Sequence, residues 1–191
     1  LNGDPRVFKK TKLLKKISYR EAIELAFYGA SVIHPKTLQP LQRKEIPLHV
    51  KSFENPKNEG TVVLKGKNLD PFVPCYILKK NQVLLRLSTI DFSFIVEDNI
   101  SYIFRLLHDY KMTVELIQNS AISFSVCINN KYNKLDELLL ILRAKFNVEV
   151  NDRVDLFTVR HFNQEAFNFI KNIGKPILLE QRTEETAQFI I

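Results

Sequence analysis

The chain has 191 residues, of which 45% are hydrophobic and 26% charged, and its formal net charge is +7. A chain of this size can bury a sizeable core, as one large domain or as two small ones. No apolar run approaches the roughly 20 residues that span a bilayer, and residues 1–16 lack the continuous apolar region of a signal peptide. These features exclude a membrane-spanning protein, and we expect no membrane partner. The chain starts without methionine, so we interpret it as a fragment of a longer protein.

The two cysteines, Cys75 and Cys127, lie in the apolar, strand-like runs VPCYIL and SFSVCIN. Neither has a Cys-x-x-Cys or Cys/His spacing, so the sequence favours free buried thiols over a metal or redox site. Free thiols fit a reducing compartment. We therefore expect a cytoplasmic protein and no metal ligands.

The basic segment KKTKLLKK, residues 9–16, carries much of the positive charge. Blocks of like charge usually form a solvated face, and an alternative is that the segment lies near an anionic ligand such as a nucleotide phosphate. Nucleic-acid binding would require basic residues interleaved with exposed aromatics, or a known module. Neither is present, so we expect no nucleic-acid partner.

Residues 17–63 predict a helix, a second helix and a strand, followed by a turn and a further strand. Ser18 and Glu21 have the spacing of a capping box, in which hydroxyl and carboxylate satisfy backbone amides reciprocally. Gly29 suits the left-handed residue that ends a helix, and Pro35 suits the first turn of the next. His34 lies at this break, where a capping or packing role is expected rather than catalysis.

The order of elements changes after the linker KGKNLDPFVP. The runs VPCYILKK and NQVLLRLST predict two strands in close succession. A helix from about 96 to 110 follows, then the strands MTVELIQ and AISFSVCIN, a helix with a leucine-rich face and the short strand FNVEV. From 82 to 150 the order is β-α-β-β-α-β, which is the ferredoxin-like arrangement of an antiparallel sheet with two helices on one face.

The remaining residues start the same pattern again, with a strand VDLFTVRHF, a short helix NQEAFNFIKN and a hairpin formed by KPILLEQ and TAQFII. This segment lacks a closing helix and strand. The strand VPCYILKK can supply one missing edge, which would make the first ferredoxin-like unit an insertion within the second.

Few motifs in the chain indicate catalysis. The five glycines form no phosphate-binding loop, the four histidines fall in different elements, and no serine has an identifiable base or nucleophile elbow. The turn LIQNSAIS between two apolar strands is a better candidate for a ligand-binding site. Its amides can bind the carboxylate of a small ligand while Glu115 attracts the ligand's ammonium group, although on pattern alone a plain hairpin turn is favoured over a ligand site.

The runs ISYREAIELAFYGASVIHPKTLQPL and IPLHVKSFENPKNEGTVV strongly resemble aspartokinases, in which a helix ends in Y/F-G-A-K and continues with V-L-H-P. Asp4 to Arg6 matches the D-P-R that precedes this region. The strands after Val73 are similar to the family's pair of ACT regulatory domains. The resemblance implies an α+β fold: tandem ferredoxin-like βαββαβ (ACT) domains, the first inserted in the second, after an α/β remnant of an amino-acid-kinase domain.

The domain boundaries expected from the resemblance follow the predicted elements. Residues 1–66 would be the C-terminal remnant of the catalytic domain, and residues 82–150 would be ACT domain 1. Residues 73–80 and 151–191 would together form ACT domain 2, in an incomplete or short form.

The resemblance implies that the whole protein transfers the γ-phosphoryl group of ATP, with Mg²⁺, to the side-chain carboxylate of aspartate, on the route to lysine, threonine and methionine. Asp4 and Arg6 match the family's nucleotide-contacting residues, and a planar guanidinium suits phosphate oxygens. Ser31 stands where the family has a lysine, which weakens the ATP contact. The family's N-terminal catalytic segment is missing, so we expect this fragment to be inactive alone, with no cofactor of its own.

The ACT domains imply feedback control by an end-product amino acid and a homodimer formed through these domains. By resemblance, the effector site comprises residues of a strand and its turn together with a helix start. Glu97 and Asp98 replace the family's R-G-F loop, and two acidic residues there favour a second ammonium group. Lysine is therefore preferred over threonine. The expected effector-site residues are Thr113, Val114, Glu115, Asn119, Ser120, Glu97 and Asp98.

Two other functions stay open on the sequence alone. The ACT pair can serve only for dimerisation, in which case no amino acid binds. A nucleic-acid-binding protein would show salt-sensitive retention on DNA or RNA.

Overall fold

The computed structural model describes residues 1–30, 33–66, 69–91 and 93–191. The chain forms two compact units, a first unit of Leu1–Leu78 with Phe157–Phe189 and a second unit of Lys79–Leu156 with Ile190–Ile191. The second unit is thus inserted in the first along the chain, and the predicted α+β fold class is confirmed. The elements, in chain order, are β1 (Lys16–Ser18), α1 (Tyr19–Tyr28), α2 (Pro35–Arg43), β2 (Leu48–Val50), β3 (Thr61–Leu64), β4 (Cys75–Thr89), α3 (Glu97–Asp109), β5 (Thr113–Asn119), β6 (Ser123–Asn129), α4 (Leu135–Arg143), β7 (Phe146–Arg160), α5 (Gln164–Lys171), β8 (Leu179–Arg182) and β9 (Thr186–Ile190).

The first unit begins with a small sheet in the order β1-β3-β2, in which β1 is parallel to β3 and β2 is antiparallel to it. Helices α1 and α2 pack against each other beside this sheet. The apolar face of α1 buries Ala22 against Leu38 of α2 and Val63 of β3. Burial of such side chains stabilises the unit through the hydrophobic effect.

The predicted ends of α1 and α2 are largely confirmed. The Ser18 hydroxyl accepts a hydrogen bond from the Glu21 backbone N–H at 3.0 Å, and Gly29 adopts φ 115° at the end of α1. His34 Nδ1 accepts from the Lys36 backbone N–H at 3.2 Å, which caps α2 ahead of Pro35. The reciprocal half of the predicted capping box is wrong, because the Glu21 carboxylate binds side chains elsewhere in the first unit.

The second unit has the predicted β-α-β-β-α-β order, with its strands arranged β5-β6-β4-β7. Alternate residues of β4 and β6 point to one face, as the two-residue period of a strand requires. Helices α3 and α4 both pack on this face. The core they enclose contains Val83, Leu85, Leu87, Ile103, Leu107, Phe124, Val126, Ile128, Leu138 and Leu142.

Two pairs of predicted strands are each one longer strand in the structure. VPCYILKK and NQVLLRLST form the continuous β4, in which Asn81 takes a left-handed φ of 57°. FNVEV and VDLFTVRHF form the continuous β7, with Arg153 at φ 55°. The sequence predicted separate strands at these points, but each strand continues through a single residue in the left-handed conformation.

The last part of the first unit contains the end of β7, the helix α5 and a hairpin of β8 and β9, with β9 between β7 and β8. The hairpin closes where the Thr183 N–H donates to the Thr186 carbonyl at 2.8 Å. Aromatic rings of Phe162 and Phe167 pack on Phe189, at centroid distances of 6.1 and 6.4 Å. Among the described residues, no helix has the length and apolar character to cross a bilayer.

Candidate nucleotide and effector sites

Asp4 and Arg6, the predicted nucleotide contacts, bind each other. The Arg6 Nη2 donates to Asp4 Oδ2 at 2.7 Å, and its Nε donates to Oδ1 at 3.0 Å. The Arg6 side chain is 85% exposed. Hydrogen bonds from the Arg6 side chain and backbone hold the pKa of Asp4 below its usual range, so Asp4 is ionised at neutral pH.

These two residues lie on the wall of a cavity of about 420 Å³ in the first unit, which is otherwise mostly apolar. Phe8 closes part of this region by packing on Tyr76 at 5.4 Å between ring centroids. The pairing with Asp4 uses two of the donor groups of Arg6 and fixes its planar fork. A guanidinium carries five N–H groups, and within the described part of the chain the other donors of Arg6 bind no acceptor, so they can meet a phosphate.

The predicted effector residues fall into two groups in the second unit. Thr113, Val114 and Glu115 begin β5, whereas Asn119 ends the strand and Ser120 follows it. At 3.3 Å per residue, Glu115 and Ser120 are separated by roughly 16 Å along the strand. The structure therefore does not bring the two groups together within one chain.

Glu115 is the extra residue of a β-bulge, since Val114 pairs with Ile128 and Leu116 pairs with Cys127. Its carboxylate accepts a hydrogen bond from Lys79 Nζ. The Glu115 side chain is 11% exposed and that of Lys79 is 24% exposed. The predicted ammonium-binding residue is therefore mostly buried and already has a cationic partner.

Ser120 fixes the hairpin turn between β5 and β6. Its hydroxyl oxygen accepts from the Ser123 N–H at 3.1 Å and lies 2.7 Å from the Ser123 hydroxyl. The Ser120 N–H donates to the Ser123 carbonyl at 2.8 Å. These bonds support the simple hairpin interpretation of this turn, although both serines are at the surface where a ligand can reach them.

Glu97 and Asp98 form the exposed first turn of α3. A backbone hydrogen bond from the Ile95 N–H to the Ala121 carbonyl, at 2.9 Å, ties the approach to this helix to the β5–β6 turn. The structure thus gathers Glu97, Asp98 and Ser120 at one end of the sheet. Acidic residues also interact favourably with the positive end of a helix dipole, so Glu97 and Asp98 stabilise the start of α3 as well.

Sequence reasoning missed the partners of two acidic residues. Lys79 pairs with Glu115 although 36 residues separate them, and Arg160 pairs with Glu21 across 139 residues. No local pattern signals either pair. Ser31, predicted to weaken the nucleotide contact, lies outside the described residues, so that prediction stays untested.

Comparison with known proteins identifies the chain's relatives. Residues 1–52 match the model of the amino acid kinase family. The chain is 31% identical over 164 residues to the lysine-sensitive aspartokinase 3 of Escherichia coli, a match that covers 80% of this chain and 35% of that protein. The chain thus spans about a third of the length of this relative.

Solved structures give the same result over the whole chain. The crystal structure of Escherichia coli aspartokinase III in complex with lysine and aspartate is 25% identical, with a TM-score of 0.77, and the match covers 100% of this chain and 45% of that one. The fold is also that of Clostridium acetobutylicum aspartate kinase, with a TM-score of 0.84 at 21% identity and coverage of 100% and 48%. The kinase-family match at the start and the long aspartokinase alignment show that the chain belongs to the aspartokinase family.

Proposed function

We propose that this chain is a regulatory portion of an aspartate kinase, which binds an end-product amino acid and dimerises through its second unit. The whole protein would phosphorylate the aspartate side-chain carboxylate with ATP and Mg²⁺. Effector binding would inhibit it by favouring one arrangement of the paired regulatory domains. Such control requires that the effector bind two states of the protein with different affinity.

The observation that carries this proposal is the separation of the effector residues along β5. Within the described part of the chain, β5 pairs with β6 alone and forms an edge of the sheet. If two copies pair antiparallel through this edge about Ile117, Glu115 of one copy lies opposite Asn119 of the other. Two-fold symmetry then builds two equivalent sites, each from both copies.

Exposed apolar side chains around this edge favour a second copy of the chain as the partner. Ile117 is 43% exposed, Ile122 48% and Phe94 69%. An unpaired edge strand flanked by apolar residues is a template for pairing with another chain. Burying these side chains would stabilise the dimer at the place where the effector site needs its second half.

Lysine is the preferred effector, and threonine is the alternative. The related Escherichia coli protein is named for its lysine sensitivity, and a similar structure was solved with lysine and aspartate bound. Lysine carries two ammonium groups, which would need two acidic partners. Glu115 supplies one, and Glu97 and Asp98 supply candidates for the other.

The remnant of the nucleotide site supports a role for Asp4 and Arg6 in the whole protein. The donors of Arg6 that are not used by Asp4 would hold a phosphate of ATP, and Mg²⁺ would neutralise charge on the transferred group. Asp4 would keep the guanidinium plane oriented. The chain alone offers too few phosphate contacts for catalysis, and we expect no aspartate phosphorylation by it.

Calorimetric titration with lysine, threonine and methionine, with sedimentation analysis of the same samples, tests the proposal. We expect saturable binding of lysine to a dimer, and its loss in Glu115→Ala. A stable dimer that gives no heat with any of the three would contradict effector binding and favour the alternative, a dimerisation module without a ligand.

A further inference from the structure

The ion pair between Lys79 and Glu115 lies in a mostly buried position on the second unit. Lys79 is on β4, and its Nζ donates to Oε2 of Glu115 on β5. Glu115 retains only 11% side-chain exposure, whereas Lys79 retains 24%. The Glu115 side chain is thus the more buried of the two, and the Lys79 side chain keeps more contact with water.

Cys127 completes the surroundings of this pair. Its thiol is fully buried, and burial raises its pKa to about 12; the Glu115 charge adds to this rise and the Lys79 charge opposes it. The thiol is therefore neutral and leaves the charge of Glu115 uncompensated. Lys79 supplies that compensation.

We propose that Lys79 is a built-in competitor for the effector's amino group at Glu115, so that an amino acid binds there only by displacing it. This inference rests on the proposed function, since it assumes that Glu115 receives the effector ammonium. The side chain of Lys79 ends in the same chemical group as the effector. It therefore sets how much amino acid the regulatory portion needs before it responds.

Tethering determines the strength of this competition. A group held in the same molecule acts at an effective concentration in the millimolar range or higher, so a free amino acid must bind through additional contacts to succeed. Displacement is feasible because a lysine stem can swing its charged end into water while its methylenes stay packed. Glu115, bulged and mostly buried, has no such alternative.

Removing the charge of Lys79 should therefore increase effector affinity. An unpaired carboxylate in a mostly buried position is unfavourable, so the vacated Glu115 would recruit a free ammonium. Lys79→Met keeps most of the stem volume and removes only the charge. Lys80→Met is the matched control, because Lys80 is adjacent and exposed and makes the same change in net charge.

The experiment is calorimetric titration of the 191-residue chain with lysine. We expect Lys79→Met to lower the Kd at least tenfold, while Lys80→Met and Lys79→Arg leave it within about twofold of wild type. Adding Glu115→Gln to Lys79→Met should remove the gain. An unchanged or higher Kd in a folded Lys79→Met protein would overturn the inference while leaving the proposed function intact.

A second measurement does not depend on the stability of the variants. The Nζ signal of Lys79 in the NMR spectrum of wild type should move to its solvent-exposed position as lysine saturates the protein. A signal that stays in its bonded position at saturation would overturn the inference. If neither wild type nor Lys79→Met binds lysine, threonine or methionine, the proposed function itself is wrong and this inference with it.

Discussion

The guanidinium of Arg160 binds both oxygens of the Glu21 carboxylate, with Nη2–Oε2 at 2.7 Å and Nε–Oε1 at 3.2 Å. Both side chains are buried, at 6% and 8% exposure. Arg160 also donates to Thr186 Oγ1 at 2.8 Å and to Glu185 at 3.0 Å. This network joins helix α1 to the end of β7 and to the β8–β9 hairpin, all within the first unit.

Glu21→Gln should destabilise the first unit by about 2 kcal/mol, because it removes the buried carboxylate that binds Arg160. The half-exposed Glu185 would remain as an anionic partner of Arg160, so the loss is smaller than for a charge left entirely unpaired. Urea denaturation followed by circular dichroism measures the change. Glu24→Gln is a substitution of the same type on the same helix, at a half-buried position. Glu24 has no ion pair with any residue that the structure describes, so this change should cost less than about 0.5 kcal/mol. Equal effects of the two variants would contradict a special role for the Glu21 pair.

The same carboxylate predicts how stability depends on pH. Burial by itself would raise the pKa of Glu21, but hydrogen bonds from His161 and Arg160 outweigh it and lower the pKa to about 2, from an ordinary 4.5. A group with a depressed folded-state pKa stabilises the protein fully above its unfolded pKa and loses that contribution as the pH falls through the folded value.

We therefore expect the stability difference between wild type and Glu21→Gln to be constant above about pH 5 and to shrink between about pH 4.5 and 2. Unfolding free energies of both proteins, measured across that interval, provide the check. A difference that does not vary with pH would show that Glu21 acts through packing or neutral hydrogen bonds alone.

Ile117→Lys should dissociate the proposed dimer. Ile117 would lie at the centre of the paired β5 edges, where two copies of a new charge would face each other. We expect the dimer dissociation constant to rise about 100-fold, the size of a central hot-spot loss, as measured by sedimentation equilibrium. Leu140→Lys is the control, because Leu140 is 77% exposed on α4; an undisturbed dimer in Ile117→Lys would place the interface elsewhere.

Gly60 should not tolerate a side chain, whereas Gly174, which has a similar backbone conformation, should accept one at a smaller cost in stability. Gly60 has φ +73°, and an added Cβ would overlap the Val50 carbonyl oxygen. Gly174 has φ +77°, and no atom of the described residues lies within 4 Å of a Cβ added there. Gly174→Ala should cost about 1 kcal/mol for the left-handed conformation alone. Gly60→Ala should cost at least about 2 kcal/mol more, since backbone must move, and comparable midpoints in urea would refute this difference.

Local sequence patterns correctly predicted most elements of the second unit. The helix from about 96 to 110 is α3, and the leucine positions marked the buried face of α4. The β-α-β-β-α-β order was also predicted correctly. Hydrophobic periodicity and turn residues indicate helices and strands through neighbours that are close in sequence. The same local rules explain why Gly29, His34 and Pro35 were correctly assigned to helix ends.

Local patterns failed where a distant partner competes. The carboxylate of Glu21 has the spacing to close a capping box, but it binds Arg160 instead, since a buried guanidinium is a stronger partner than a backbone amide. At Asn81 the sequence predicted two separate strands, but β4 continues through this residue in the left-handed conformation. The partner of Glu21 lies far away in sequence.

The sequence by itself determined the family resemblance, the fold class and the strand that carries Glu115, because these depend on residue types and on spacings within single elements. Only the tertiary structure decided that Lys79 neutralises Glu115 and that β5 lies at an edge of the described sheet. The reason is physical: ion pairs and strand edges are set by which residues the folded sheet brings together, and the pairing of Lys79 with Glu115 spans 36 residues that no local periodicity links.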